Sequence, residues 1–97
     1  MNAREIVTKL RTLAADPENR AYIVRDHGCL PGLVAFLEDK DSHVVFMALE
    51  VLHFLSMCEA NREVMAREPG LIKSIKRLMV TGKLKLKKVA IRCVECY

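Results

Sequence analysis

Apolar residues recur every three or four positions along most of the chain, a spacing that places them on one face of an α-helix. The first such stripe predicts a helix over residues 2–14 and consists of Ile6, Val7, Leu10 and Leu13. Six further stripes predict helices at about residues 17–26, 30–37, 42–58, 60–67, 71–80 and 84–97. The expected fold class is therefore all-α, with about seven helices.

The residues around the second stripe are of the kinds that start and stop helices. Asp16 can accept hydrogen bonds from the free amides of a helix start, and Pro17 fits the first helical position because no amide donor is needed there. Gly28 is expected to end this helix with a positive φ. We expect Tyr22 and Ile23 to face the interior.

Two stretches of the sequence match each other at a constant offset of 42 residues, which is the distance from Asn19 to Asn61. Residues 19–28 (NRAYIVRDHG) and 61–70 (NREVMAREPG) share an initial Asn-Arg pair, an Arg and a Gly at this 42-residue offset. The apolar pattern follows the same offset, because Leu13 aligns with Leu55 and Tyr97. A period in the forties is typical of stacked helical repeats, in which each unit covers the apolar face of its neighbour.

The period divides a single domain, residues 1–97, into three parts. A lone leading helix over residues 2–14 precedes one repeat over 16–58 and another over 59–97. An unrelated helical bundle that repeats by chance is the alternative. Because two repeats are fewer than a stack usually needs, we expect self-association through the C-terminal repeat or a continuation of the stack.

The residues within each repeat resemble those of the armadillo-repeat family. Residues 28–37 (GCLPGLVAFL) supply a glycine turn and a second helix that opens near Pro, and residues 48–55 (ALEVLHFL) lie in the long third helix. A narrower resemblance covers about residues 10–80, to members whose armadillo segment is followed by a ferredoxin-like domain. The resemblance implies a right-handed armadillo-type α-solenoid, a non-enzymatic role and an association with the protein assemblies of the mitochondrial outer surface.

In armadillo proteins the third helices line a concave groove, and in many of them a Trp and an Asn there hold an extended peptide. The aligned residues of this sequence are Thr8, Glu50 and Arg92 for the Trp, and Thr12, Phe54 and Cys96 for the Asn. None of them matches, so peptide binding through an Asn ladder is not expected. Phe54 has two interpretations, an anchor for a partner or a packing residue between repeats. The partner-binding residues predicted for the groove are Met47, Glu50, Phe54, Lys85, Lys88 and Arg92.

Positive charge is concentrated at the C-terminal end of the sequence. Residues 1–72 carry eight Lys/Arg and eleven Asp/Glu, a net charge of −3, whereas residues 73–97 carry eight Lys/Arg and one Asp/Glu, a net charge of +7. Lys85, Lys88 and Arg92 fall on one helical stripe. This stripe is expected to attract an acidic protein segment, with anionic lipid as an alternative. Nucleic acid is disfavoured because no aromatic residues alternate with the basic ones, and a merely solvated face is the remaining interpretation.

The sequence also bears on location. No apolar run reaches the roughly 18 residues of a membrane span, and the start of the chain lacks the apolar segment of a secretory signal. We therefore expect a cytoplasmic protein whose four cysteines stay reduced. The family resemblance adds the mitochondrial surface to that expectation.

Catalytic and metal-binding motifs are weak in this sequence. Cys93 and Cys96 form a C-x-x-C pair, but a structural zinc site needs four ligands. His27 and Cys29 could pair a base with a nucleophile, although a turn with Cys29 tucked beneath it is favoured. We predict no enzyme and no cofactor.

The predicted function is a protein-interaction module acting through the third-helix groove. The alternative is a peripheral binder of an anionic membrane surface or acidic partner through the basic segment.

Overall fold

The computed structural model describes residues 2–26 and 28–81. Six α-helices lie in them: α1 (Ala3–Ala15), α2 (Arg20–Arg25), α3 (Cys29–Phe36), α4 (Ser42–Ser56), α5 (Glu59–Arg67) and α6 (Leu71–Thr81), with a 3-10 turn (Pro17–Asn19) before α2. This part of the chain contains no strand, so the all-α prediction is confirmed. The seventh predicted helix, at residues 84–97, lies outside the described residues.

Helices that are related by the 42-residue offset lie beside each other in space. The long helices α1 and α4 pack against one another more extensively than any other pair of described helices, and α2 lies against α5. The α3–α6 pair is joined by an ion pair between Glu38 and Arg77, 2.7 Å apart. The described residues therefore form an armadillo-type stack. We refer to α2, α3 and α4 as unit one and to α5 and α6 as unit two, following the 42-residue offset, which aligns α1 with α4.

One continuous aliphatic core holds the stack together. The longest described helix, α4, supplies most of it because α1 packs on one side of it and the short helices on the other. Its fully or nearly fully buried apolar residues are Val44, Val45, Met47, Ala48, Leu49, Val51, Leu52 and Leu55. Within residues 2–26 and 28–81, no buried side-chain nitrogen or oxygen lacks a hydrogen-bond partner. The few polar groups inside the stack are therefore satisfied.

The repeated Asn-Arg pair makes the same hydrogen bonds in both units. In unit one, the side-chain amide of Asn19 donates to the carbonyl oxygen of Leu13 (3.1 Å) and the guanidinium of Arg20 donates to that of Ala14 (2.8 Å). In unit two, Asn61 donates to Leu55 (3.0 Å) and Arg62 to Ser56 (3.0 Å). The donors and the acceptors are both related by the 42-residue offset. We call this arrangement the Asn–Arg cap, because it satisfies the last carbonyl groups of a third helix, which have no partners within the helix.

The second cap also joins the two units. The amide of Asn61 donates its other hydrogen to the main-chain carbonyl oxygen of Arg20, 3.0 Å away. Asn61 is 3% exposed, so water cannot replace this bond. The position of unit two relative to unit one is therefore fixed by a buried polar contact as well as by apolar packing.

The helix starts agree with the sequence prediction. The carboxylate of Asp16 accepts a hydrogen bond from the amide of Glu18 (3.0 Å), with Pro17 at the first position. Asp41 caps α4 in the same way through the amide of His43 (3.0 Å). The local signals for helix starts are thus sufficient to place them here.

Two expectations for the second helix are wrong. Tyr22 is 69% exposed, because the buried face of α2 runs through Arg20 and Val24. Gly28 has a φ of −92°, and the left-handed glycine in the described residues is Gly70, with a φ of 81°. The carboxylate of Asp26 accepts from the amide of Gly28 (3.1 Å), and this side-chain turn redirects the chain without a positive φ.

Replacing Asn61 with Ala is expected to destabilise the protein more than replacing Asn19 with Ala. Asn61→Ala removes two buried hydrogen bonds to main-chain carbonyl oxygens and should lower the free energy of unfolding by about 2–3 kcal/mol. Asn19→Ala removes one half-exposed bond and should lower it by about 1 kcal/mol. Urea unfolding followed by circular dichroism at 222 nm compares the two. An equal loss of unfolding free energy in the two variants would contradict a role for the hydrogen bond from Asn61 to Arg20 in joining the units.

Candidate functional site

The three predicted groove residues that the structure describes lie on α4 in different environments. Met47 is 9% exposed and belongs to the core, so it offers little surface to a partner. Glu50 is half-buried and forms a two-bond ion pair with Arg11 of α1, with nitrogen–oxygen distances of 2.8 and 3.4 Å. Phe54 is half-buried, one turn further along the helix. Lys85, Lys88 and Arg92 lie outside the described residues.

The ring of Phe54 is partly covered by the protein itself. The guanidinium carbon of Arg20 lies 5.4 Å from the ring centroid, a distance at which cation and ring attract each other. The ring also packs against the core and lies 6.1 Å from that of His53. Phe54 therefore packs within the protein while keeping part of its surface exposed, and its use as an anchor stays a prediction.

The α1–α4 pair presents a mixed polar and aromatic surface, which we call the third-helix face. It consists of Thr8, Arg11 and Thr12 of α1 with Glu50 and Phe54 of α4. Thr8 and Thr12 are exposed, and the hydroxyl of Thr12 donates to the carbonyl oxygen of Thr8 (3.1 Å). The two threonines align with Glu50 and Phe54 at the 42-residue offset, so the third-helix face is made of equivalent positions on α1 and α4.

A second surface, the N-terminal cleft, lies between α1, α2 and α3. It has a volume of about 400 Å³ and is lined mainly by apolar residues: Ile6, Leu10, Leu13, Tyr22, Ile23, Cys29, Gly32 and Phe36, with Asn19, Asp26 and Gly28. Leu13 and Tyr22 are 43% and 69% exposed. Asp26 is the one charged side chain among these lining residues. The cleft is thus an open apolar surface with a single acidic group.

The N-terminal cleft was not predicted, because an exposed apolar surface was expected only at the C-terminal repeat. Leu13 is 43% exposed, whereas its counterpart at the 42-residue offset, Leu55, is fully buried. The spacing of apolar residues gives the two leucines equivalent places on their helices, so it carried no signal of this difference.

Cys29 lines the cleft and is a poor nucleophile. Burial, together with the negative charge of Asp26, raises the pKa of its thiol from 9.0 to about 11. A thiolate is the reactive form, so this cysteine is chemically inert near neutral pH. The expectation of Cys29 tucked beneath the turn agrees with its partial burial, while His27 lies outside the described residues.

Residues 2–26 and 28–81 hold no group of three or more His, Cys, Asp or Glu side chains that could bind a metal ion. None of the helices described is long and apolar enough to span a bilayer. Cys93 and Cys96 lie outside the described part of the chain.

Comparison with known proteins gives one family. A family model described as Armadillo/beta-catenin-like repeat matches residues 16–56, which are unit one. The chain is 47% identical over 78 residues to "Armadillo repeat-containing protein 1" of Gallus gallus, and 46% identical over the same length to the proteins of that name from Bos taurus and Mus musculus. No solved structure matches the chain significantly.

These matches cover most of this chain and a minor part of its relatives. The aligned residues amount to 80% of this chain but 28% of each relative named above. The similarity therefore concerns the helical repeats.

Alkylation of Cys29 is expected to be slow. At pH 8, a thiol with a pKa of about 11 is roughly a hundredfold less ionised than one with the ordinary value of 9.0. Iodoacetamide labelling followed by peptide mass spectrometry should show this ratio between the folded chain and the chain unfolded in guanidinium chloride. Asp26→Asn keeps an acceptor for Gly28 but removes the charge, and should speed the labelling slightly. Equal rates in both states would contradict the burial of this thiol.

Proposed function

Because the chain belongs to the armadillo-repeat family, we propose that it is a non-catalytic module that binds a partner protein, and that the partner contacts the third-helix face. Armadillo repeats in general mediate contacts between proteins, and the stacked architecture that does so is present here. The observation that carries the proposal is the partly exposed Arg11–Glu50 ion pair (2.8 Å), which joins α1 to α4; the exposed Thr8 and Thr12 lie within one turn of Arg11, and the half-buried Phe54 lies one turn from Glu50.

The chemistry of this face favours a partner recognised by its side chains. An Asn ladder binds the main chain of any extended peptide, since an amide group offers both a donor and an acceptor. Here the aligned positions carry two threonines, a paired carboxylate and an aromatic ring. In the Arg11–Glu50 ion pair, the Arg11 side chain is 40% exposed and the Glu50 side chain is 23% exposed. A polar group of the partner can therefore replace either member of the pair. A partner with a defined folded surface or a specific sequence fits these groups better than a generic peptide.

Arginines placed on the exposed positions of α1 test the third-helix face. Thr8→Arg/Thr12→Arg should leave the free energy of unfolding within about 0.5 kcal/mol, because both side chains are exposed. It should reduce the capture of specific proteins from cytosolic extract, measured by quantitative mass spectrometry after chemical cross-linking. Ala60→Arg on exposed α5 is the matched control. If both variants retain the same proteins as the unmodified chain, the third-helix face is not the binding surface.

The basic C-terminal segment supports a second candidate function. Its net charge of +7 over residues 73–97 contrasts with −3 over the rest of the chain. In the described part of the segment, Lys73 and Lys76 are exposed on α6. We propose as an alternative that this segment attaches the protein to an anionic membrane surface or an acidic partner segment, in the cytoplasm and at the mitochondrial surface.

Liposome flotation tests this alternative. The protein should float with vesicles containing phosphatidylserine, but not with phosphatidylcholine alone, and high salt should release it. Lys85→Gln/Lys88→Gln removes two charges and should weaken binding by about 2 kcal/mol, or roughly thirtyfold. Lys9→Gln/Lys40→Gln, which removes two exposed positive charges outside the segment, serves as the matched control. Absence of flotation at low salt would rule out the membrane and leave the acidic partner.

A further inference from the structure

A pocket lined by hydrogen-bond donors lies where α3 and α6 meet, and we call it the α3–α6 pocket. It has a volume of about 390 Å³. Its lining residues are Val34, Glu38, Gly70, Lys73, Ser74 and Arg77. Three of these side chains, those of Lys73, Ser74 and Arg77, donate hydrogen bonds. Glu38 supplies the one carboxylate of the lining, so the donors outnumber the acid.

The carboxylate of Glu38 is bound in this pocket by two donors of α6. Its Oε1 atom lies 3.3 Å from the hydroxyl of Ser74 and 2.7 Å from a guanidinium nitrogen of Arg77. Ser74 is 6% exposed, so its hydroxyl belongs to the wall of the pocket. The hydrogen bond and charge of Arg77, with the hydroxyl of Ser74, hold the pKa of Glu38 below its ordinary value against the opposing effect of desolvation. The pocket thus has the chemistry of an anion site and already holds one carboxylate oxygen.

An external anion can displace this internal carboxylate. The side chains of Arg77 and Glu38 are 51% and 52% exposed, and an ion pair with that exposure contributes little to stability because water solvates both partners. Glu38 lies in the turn that follows α3, so its side chain can move into solvent without unfolding a helix. Lys73 lines the same pocket and forms no ion pair within residues 2–26 and 28–81. An anion that replaced Glu38 would therefore gain a second cation.

The exposed face of α6 continues from the pocket and suits a membrane surface. Its residues follow the three- and four-residue spacing of one helical stripe, and all of them are exposed: Lys73, Lys76, Arg77 and Val80. Val80 is 78% exposed, more than any other large apolar side chain of the described residues. Cations beside an exposed apolar side chain are typical of helices that lie on anionic membranes. Since Lys73 and Arg77 also line the pocket, it opens beside the face that would meet the lipid.

The donor set favours a phosphate monoester among the anionic groups of lipids. A phosphate monoester carries more than one negative charge near neutral pH and has three terminal oxygens. These oxygens can accept from a guanidinium, an ammonium and a hydroxyl at once, which are the groups of Arg77, Lys73 and Ser74. The phosphate of phosphatidylserine is a diester with a substituent on each side, so it cannot present three oxygens to a pocket. Charge attracts both kinds of lipid, but the pocket distinguishes them.

We propose that the α3–α6 pocket binds the phosphate monoester headgroup of an anionic lipid, which takes the place of the Glu38 carboxylate. Arg77 and Ser74 donate to the phosphate oxygens as they do to Glu38, Lys73 adds a second cation, and Val80 enters the membrane interface. Glu38 is then an internal competitor of the lipid. The inference rests on the second candidate function, attachment to an anionic membrane, and names the class of lipid. It is independent of the third-helix face.

Two kinds of vesicle that differ in headgroup and match in surface charge test the proposal. One contains phosphatidic acid, whose headgroup is a phosphate monoester, and the other contains phosphatidylserine in an amount that gives the same zeta potential. Flotation of the full chain at increasing lipid concentration gives an affinity for each. Phosphatidic acid should bind at least about fivefold more tightly. The ratio of the two affinities is the readout, because charge alone acts on both vesicles alike.

Arg77→Gln and Lys76→Gln are a matched pair of variants. Each removes one exposed positive charge from α6, but only Arg77 lines the pocket. Each should weaken binding to phosphatidylserine vesicles by about fivefold. With phosphatidic acid, Arg77→Gln should weaken binding by about a further tenfold, because a direct donor to the phosphate is lost. Lys76→Gln should leave the ratio of the two affinities unchanged.

Two further variants separate hydrogen bonding and competition from the attraction of charge. Ser74→Ala changes no charge and introduces a good helix former, so it should weaken binding to phosphatidic acid by about threefold and leave binding to phosphatidylserine unchanged. Glu38→Gln keeps an acceptor for Ser74 but removes the competing charge. It should raise the affinity for phosphatidic acid by about fivefold, and the ratio with it. Circular dichroism at 222 nm confirms that each variant is folded.

Three outcomes would overturn the proposal. Equal affinity for the two vesicles, or a ratio that Arg77→Gln, Ser74→Ala and Glu38→Gln leave unchanged, would exclude the headgroup site while membrane attachment through charge still stands. Absence of flotation with both vesicles would exclude membrane attachment as well. Binding of a soluble phosphoserine peptide as tightly as phosphatidic acid vesicles, with the same response to the variants, would make a phosphorylated protein the ligand instead of a lipid. The third-helix face is tested separately, because Thr8→Arg/Thr12→Arg should leave the ratio unchanged.

Discussion

The geometry of this protein depends on how the C-terminal ends of its long helices are satisfied. The last carbonyl groups of a helix have no partners within it, and here the chain turns into the next unit directly after them. Asn19 and Arg20 supply donors to the end of α1, and Asn61 and Arg62 do the same for α4. A cationic donor is favourable there because the helix dipole places partial negative charge at that end. Apolar burial supplies most of the stability, and this polar contact ties the end of each long helix to the start of the short helix that follows it.

A stack built in this way has sides and ends that differ in chemistry. Along the sides, each unit covers its neighbour, and the polar faces of the helices meet water. Beside the N-terminal cleft, the apolar face of α1 has no covering helix among residues 2–26 and 28–81. Leu13 is exposed there, while Leu55, its counterpart at the 42-residue offset, is buried. Equivalent apolar positions of the repeat therefore lie in different environments along the stack.

The sequence was sufficient for the features that depend on local chemistry or on long helices. The helix start at Asp16, the 42-residue period and the buried face of α4 all follow from residue types and spacing. The inward face of α2 was not predictable, because a helix of six residues makes fewer than two turns and its apolar pattern fits several orientations. The burial of Met47 was also missed, since a helix packed on two sides leaves only a narrow exposed strip. The cleft required knowing which helix lacked a neighbour, which depends on the stack as a whole.

Arg20 connects the helix-end contact with the surface of the third helices. Its guanidinium donates to the carbonyl oxygens of Ala14 and Ala15 and also lies over the ring of Phe54. At the position of Phe54, many armadillo proteins have an Asn that binds the main chain of a peptide; here an aromatic ring contacts the protein's own arginine. A group so engaged cannot leave its place without disturbing the end of α1. The exposed part of the ring and the groups around it are what the proposed partner would contact, so the absence of the Trp and Asn residues is compatible with the proposed protein-binding role.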